Sequence, residues 1–405
     1  MKSSADDLAV FTGIPAFGRQ LHVGQPDVGS RGTLMRRIDG ILDRHWLTND
    51  GPCVRELEGR IADLLGVRHA IPLSSGTCAL EIAVKALELR GEVILPSMTF
   101  VATAHALEWH GIVPVFCDID PETHNLDPGR VEELITPRTT GIVGVHLWGR
   151  PCDVERLARV AARHKLRLLF DAAHAFRCSC KGRMIGNFGD LEVFSFHATK
   201  FFHTIEGGAV TTNDGELAER VRLMSNHGFV GYDAVGGLGI NGKMNEISAA
   251  MGLTLCDDLE RLVAANRRNY RQYKSLLEGL PGVAVAPYDE TEQCNYQYVV
   301  LEIDERSAFI TRDQLAGILW AENVLARRYF YPGCHRMQPY LSKYPDAAGR
   351  LPHTESLCRR VLCLPTGTSV GPEEIETIAG IIRIAVTDGR RLASRLPERL
   401  HSAGA

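Results

Sequence analysis

With 405 residues, the chain is long enough to form two or three domains around a sizeable core. Hydrophobic residues make up 45% and charged residues 23%, and 45 Lys and Arg against 49 Asp and Glu leave a net charge of −4, without the basic excess of a nucleic-acid binder. No run approaches the roughly 18 apolar residues of a membrane span, and the start Met1-Lys2-Ser3-Ser4 lacks a basic-then-apolar leader, so a cytoplasmic protein without nucleic-acid or membrane partners is expected.

The first 45 residues are weakly periodic and read as an arm followed by a short helix over 34–42. Over 53–65 the residues Val54, Leu57, Ile61 and Leu64 recur at helical spacing, and Gly66 stops the run. Short apolar runs then alternate with helical segments: a strand at 69–73, a helix at 77–89, a strand at 93–95 and a helix at 100–110. Strands follow at 113–117 and 141–146, a helix at 154–164, and strand-like runs at 167–170, 192–196 and 209–212. This alternation predicts a mostly parallel sheet covered by helices on both faces. After residue 243 the texture changes. The stretch 244–277 is helical with a break at Asp257 and Asp258, 297–303 reads as a strand, and helices are expected at 312–322 and 373–386. The expected organisation is an arm and short helix over 1–45, a large α/β domain over 46–259 and a smaller α+β domain over 260–405.

Four features stand at strand or helix ends. Ser74-Ser75-Gly76-Thr77 joins a strand to a helix, where small residues let backbone N–H groups and the helix dipole meet a phosphate. A capped turn alone would also explain it. Asp171 and His174 close an apolar strand, and ligands of open α/β sheets bind beyond the carboxyl ends of strands. Phe194-Ser195-Phe196-His197-Ala198-Thr199-Lys200 delivers a lysine past a strand end beside aromatic residues, where its pKa can fall and its amine can act as a nucleophile. Glu206-Gly207-Gly208 reads as a tight turn into the next strand. Pyridoxal 5′-phosphate needs a phosphate cup, a carboxylate for its ring nitrogen and a lysine for its aldehyde, and Ser75, Gly76, Thr77, Asp171, Ser195 and Lys200 supply these in order.

At this point the chain resembles the nucleotide-sugar aminotransferases of the DegT type, within the aspartate aminotransferase-like, fold type I enzymes. The residues that carry the resemblance run from Trp46-Leu47-Thr48-Asn49-Asp50-Gly51-Pro52 to Leu364-Pro365-Thr366. Between them lie Pro96-Ser97-Met98-Thr99-Phe100, His146-Leu147-Trp148-Gly149, Asp171-Ala172-Ala173-His174 and the Lys200 segment. The last two resemble those of enzymes that aminate carbon 4 of dTDP-4-keto-6-deoxyglucose in antibiotic deoxysugar pathways. The resemblance implies that Lys200 holds the cofactor and moves the proton, with Asp171 on the ring nitrogen and His174 on the phenolic oxygen. It further implies that Ser75, Gly76, Thr77 and Ser195 cradle the phosphate, that Phe100 stacks on the ring, and that Asn241 reaches the phosphate of the partner in a homodimer. Lys243, Arg328, Tyr331 and His335 are its candidate substrate contacts. The implied reaction is a ping-pong transamination from L-glutamate to a nucleotide-linked 4-keto sugar. A 3-aminotransferase is the alternative, and a non-catalytic protein on the same fold is a more distant one.

Three other signals carry less. Gly237-Leu238-Gly239-Ile240-Asn241-Gly242 satisfies the dinucleotide fingerprint but follows no apolar strand, so it reads as a glycine-rich loop before the helix near Met244. Eleven cysteines, among them Cys178 and Cys180, show no zinc spacing and read as reduced thiols, so no metal is expected. His197 and His203 flank Lys200 and are expected to support the site or bind substrate.

Overall fold

The computed structural model describes residues 2–396. Seven strands make the main sheet: β1 (His69–Leu73), β2 (Glu92–Pro96), β3 (Val113–Cys117), β4 (Thr139–Val145), β5 (Arg167–Asp171), β6 (Leu191–Ser195) and β7 (Gly208–Thr212). Their spatial order is β1-β7-β6-β5-β4-β2-β3. Strand β7 alone of the seven runs against both its neighbours, and the remaining pairings are parallel. The sheet is covered on both faces, which is why every residue of central β2 and β7 is buried and neither strand alternates apolar with exposed polar positions.

Helices α1 (Arg31–Arg44), α2 (Pro52–Leu65), α3 (Gly76–Ala86), α4 (Val101–Trp109), α5 (Val154–His164), α6 (Gly215–Ser225), α7 (Glu246–Asp257) and α8 (Leu259–Leu277) complete this part of the chain. Leu80, Leu107 and Val221 of α3, α4 and α6 share one core with the sheet, and Leu57 and Leu253 of α2 and α7 share another. Glu246 is fully buried at the start of α7, where its carboxylate accepts from the N–H groups of Cys53 and Val54 (3.0 and 2.9 Å) in the first turn of α2. The exposed amides of a helix start meet a negative charge there.

Helix α8 passes from one core to the next: Leu259 and Leu262 pack with α7, whereas Tyr270, Tyr273 and Leu277 enter the core of the C-terminal part. There β8 (Val283–Val285), β9 (Val299–Ile303) and β10 (Val361–Leu364) form an antiparallel sheet with helices α9 (Arg312–Ala321), α10 (Pro352–Arg360) and α11 (Pro372–Thr387). Ala5, Leu8 and Leu21 of the arm bury in this same core. Leu21–His22 pairs in parallel with Val324–Leu325, and buried Glu322 accepts from the N–H groups of Ala9 (2.7 Å) and Ala16 (2.6 Å). The arm is thus tied to residues some 300 positions later, a link with no local signal.

Helices α6 and α10 and strands β8 and β10 were not expected from the sequence. Helix α6 buries just Leu217, Ala218, Val221 and Ser225, and β10 is four residues long, so neither has a pattern that outweighs tertiary packing. The Glu206-Gly207-Gly208 turn also differs from expectation. Antiparallel β6 and β7 pair from Ser195 and Gly208, and the whole connection 196–207 between them is the loop that carries Lys200. No helix of the described residues is long and apolar enough to cross a membrane.

Candidate active site

The carboxyl ends of β1, β5 and β6 and the loop before β7 open on one cavity of about 690 Å³. Ser75 caps α3, its Oγ accepting from the Cys78 N–H at 3.0 Å. Gly76 and Thr77 follow in the first turn, where helix geometry leaves N–H groups without partners. A methyl group on Gly76 would stand 2.9 Å from Ser195 Cβ, and one on Gly208 would stand 2.7 Å from the Gly76 nitrogen. Backbones therefore close on one another at this corner, and Ser195 is brought against the helix start.

Asp171, 5% exposed, ends β5. Its Oδ2 accepts from Thr103 Oγ1 at 2.8 Å and its Oδ1 from the Ala173 N–H at 3.0 Å. Burial raises its pKa, opposed by these two bonds and by the charges of Lys200 and His146. Lys200 sits in the β6–β7 loop with its Nζ donating to Tyr298 Oη at 3.3 Å. Burial pushes its ammonium down to about 8, and Asp171 pulls the other way. The neutral amine is therefore accessible at mildly alkaline pH.

His174 is buried and held on three sides. Its Nδ1 accepts from the Trp148 N–H at 3.1 Å, its carbonyl accepts from Asn295 Nδ2 at 2.8 Å, and its ring stacks on Phe330 with centroids 5.6 Å apart. Trp148 itself sits at φ 55°, an unusual conformation for a bulky residue, in the turn that aims its N–H at the histidine. Burial and Lys200 drive the His174 pKa well below 6.5, so the ring is neutral. Because Nδ1 is an acceptor, the proton is on Nε2, which makes Nε2–H the free donor.

Ser75, Gly76, Thr77, Phe100, Asp171, His174, Ser195 and Lys200 all line the cavity, as does His197, whose Nδ1 bonds Thr199 Oγ1 at 2.9 Å. The remaining candidates do not. Asn241 is exposed and away from the cavity of its own chain. Lys243 Nζ donates to Asn226 at 2.8 Å. Arg328 donates to Asp313 at 2.8 Å and lies over Tyr331, which likewise faces away. His335 corrects an expectation: it is 1% exposed, with Nδ1 bonded to Ser97 Oγ (2.6 Å) and Nε2 to Glu355 (2.8 Å), so neither nitrogen is left for a substrate. His203 is spent too, its Nε2 on the Asp27 carbonyl (2.9 Å) and its Nδ1 accepting from Ile205 N–H (3.2 Å). Cys178 and Cys180 are free thiols, and no cluster among the described residues could hold a metal ion.

Several lining residues were not anticipated: His22, Gly24 and Gln25 come from the arm, and Tyr298 from the C-terminal part. Arg327 and Tyr329 belong to the basic and aromatic stretch 327–332, which the family resemblance brings near the sugar nucleotide. Arg327, rather than its neighbour Arg328, reaches the cavity, and it forms no ion pair among the described residues. Thr103 had one legible sign, its place three residues beyond Phe100 in the first turn of a helix at the strand edge.

The chain matches the DegT/DnrJ/EryC1/StrS aminotransferase family over residues 30–383. A dTDP-4-amino-4,6-dideoxy-D-glucose transaminase from Escherichia coli is 34% identical over 367 residues, covering 90% of this chain and 98% of that protein. A GDP-perosamine synthase from Caulobacter vibrioides is 36% identical over 307 residues, or 74% of this chain and 81% of that one. The structure of DesI in the presence of its TDP-sugar product is similar with a TM-score of 0.91 at 49% identity, covering 96% of this chain and 99% of that one. The fold is that of the type I pyridoxal-phosphate enzymes. On the match over 30–383 and these identities, the chain belongs to the DegT/DnrJ/EryC1/StrS aminotransferase family.

Proposed function

We propose that this sugar aminotransferase moves an amino group from L-glutamate to carbon 4 of dTDP-4-keto-6-deoxyglucose, and that it works as a homodimer with pyridoxal phosphate. The observation that carries the reading is the pairing of a buried lysine of lowered pKa with a buried carboxylate in one cavity, in a chain 49% identical to a protein seen with a TDP-sugar product.

The residues suit that cofactor. The closely packed corner of Gly76, Ser195 and Gly208 puts free N–H groups of a helix start where a phosphate would sit, with the Thr77 and Ser195 hydroxyls beside it. Asp171 would hold the ring nitrogen: burial alone disfavours its charge, and a cation beside it reverses that. Nε2–H of His174 is a donor for the phenolic oxygen, and Phe100, 55% exposed, offers a ring face. When bound, pyridoxal phosphate supplies the aldehyde and the electron-withdrawing ring that stabilise negative charge at the substrate carbon.

The protein's part is to position groups and transfer protons. Lys200 Nζ, neutral in part because it is desolvated, takes the α-proton of L-glutamate in one half of the cycle and returns a proton to the sugar carbon in the other. Both substrates are anions. Arg327, the guanidinium lining the cavity, is the contact for a carboxylate or diphosphate. For the dimer, the hairpin formed by Phe229–Gly231 and Ala234–Val235 exposes Phe229, Val230, Tyr232 and Val235, followed by exposed Leu238 and Ile240. An apolar stretch of this kind marks an interaction surface, and the exposed Asn241 beside it is the residue proposed to reach the partner's phosphate.

The test starts from enzyme converted to the pyridoxamine form with L-glutamate and then cleared of amino acid. dTDP-4-keto-6-deoxyglucose and its 3-keto isomer are added separately while the visible spectrum is followed. Return of the lysine-bound cofactor band with the 4-keto sugar alone is expected. Return with the 3-keto sugar alone would refute the substrate assignment and keep the enzyme class.

A further inference from the structure

Among the described residues, the one side chain that Lys200 Nζ hydrogen-bonds belongs to the C-terminal part of the molecule. Tyr298 Oη lies 3.3 Å from Lys200 Nζ, and the ammonium also sits 5.9 Å from the centre of the Tyr298 ring. The two residues are 98 positions apart. Tyr298 is 6% exposed, and its ring packs on His174 with centroids 4.7 Å apart. Its backbone is fixed by Tyr288, whose hydroxyl accepts from the Tyr298 N–H at 3.3 Å and shares its own proton between the carbonyls of Tyr298 and Trp148, each at 3.0 Å. Trp148 in turn holds Nδ1 of His174. One buried set of contacts, joining Tyr288 and Tyr298 of the C-terminal part to Trp148, therefore fixes both the lysine and the histidine.

We infer that Tyr298 is a positioning residue that holds the amine of Lys200 whenever it is free, keeping its proton aimed at the reacting carbon between the two transfers. This rests on the proposed transamination, in which Lys200 is released in each half-reaction. The phenol suits the task. Burial among Tyr329 and Cys363 raises its own pKa far above the usual range, so it stays a neutral hydroxyl whose oxygen accepts from the ammonium without taking its charge. A bond accepted from a charged donor is stronger than a neutral one, yet a neutral acceptor releases the proton more readily than a carboxylate would. The other titratable and charged groups lining the cavity with the amine stay in place if the hydroxyl is removed: Asp171 at the end of β5 and His174 just beyond it, His197 and Glu206 from the lysine's own loop, Arg327 and Tyr329 from the C-terminal part, and His22 from the arm.

The test compares wild type with Tyr298→Phe, which keeps the ring on His174 and loses the oxygen. Tyr298→Met runs in parallel in case the Phe variant does not fold. Each protein is loaded with pyridoxamine phosphate, in which state Lys200 is free, and reacted with methyl acetimidate over a pH series. Modification of Lys200 is read by peptide mass on protein that retains the ligand through gel filtration. Removing a bond to the charged form favours the neutral amine, so the midpoint should fall by about half to one pH unit. The L-glutamate half-reaction at saturating donor should slow by about tenfold, with the apparent donor affinity within twofold. An unchanged midpoint overturns the inference, even if turnover is slower, because that result marks lost packing alone. If wild type itself does not react with L-glutamate, the donor assignment fails, while the labelling midpoint still decides the role of Tyr298.

Discussion

Thr103 offers the sharpest check on the site, because it holds Asp171 without itself entering the reaction. Its hydroxyl has one proton and two acceptors in reach, Asp171 Oδ2 at 2.8 Å and the Phe100 carbonyl at 3.0 Å. The ionised carboxylate wins that competition, and Thr99 Oγ1, 2.8 Å away, completes the chain by donating to Thr103. Thr103→Val nearly keeps the volume and removes one of the two donors on a carboxylate whose pKa burial already raises. A hydrogen bond to a charged group contributes about 1.5–3 kcal/mol. At about 1.4 kcal/mol per factor of ten, the loss is roughly tenfold to a hundredfold in the preference for ionised Asp171. A protonated Asp171 no longer favours a protonated ring, so kcat should fall, by at most about that factor. Thr103→Ser, which keeps the hydroxyl, should stay within about threefold of wild type. Steady-state rates of both variants, with bound cofactor measured in the same samples, decide the matter. A valine variant at more than half the wild-type rate, or a serine variant as slow as the valine one, would refute the reasoning.

Lys200→Ala should lose roughly 10²–10⁴-fold in turnover while still retaining pyridoxamine phosphate on gel filtration, and turnover within tenfold of wild type would exclude Lys200 as the proton carrier. The pH dependence has a definite sign. Burial depresses the Lys200 ammonium to about 8, the neutral amine is the base, and so the L-glutamate half-reaction should speed up as pH rises through about 8 and slow about tenfold per unit below it. Single-turnover rates that are flat across that range would contradict the assignment. His335→Ala should cost about 1–3 kcal/mol of stability, because it removes the buried ring and its bonds to Ser97 Oγ and Glu355, and should leave the sugar KM within twofold. A tenfold rise in that KM at unchanged Tm would return His335 to the substrate.

What the sequence settled was local. The strand runs at 69–73 and 113–117 and the helix at 154–164 have the bounds of β1, β3 and α5, since each is a short segment with a clear period. Ser75, Gly76, Asp171, Ser195 and Lys200 were legible as a site because each stands at the end of such a segment, and a parallel sheet gathers strand ends at one edge. Contacts between residues distant in the sequence were decided by the tertiary structure. Tyr298 reaches Lys200 across 98 positions and Thr103 reaches Asp171 across 68, and neither residue type nor spacing announces such a pair. The arm lines the cavity because Leu21 and His22 join Val324 and Leu325, a pairing of two-residue strands too short to show a pattern. The same holds for Arg327 and Arg328: adjacent and alike in sequence, they part because Asp313 captures the second and leaves the first facing the cavity. Periodicity encodes which face of an element is buried, but which distant side chain then meets that face depends on how the elements pack.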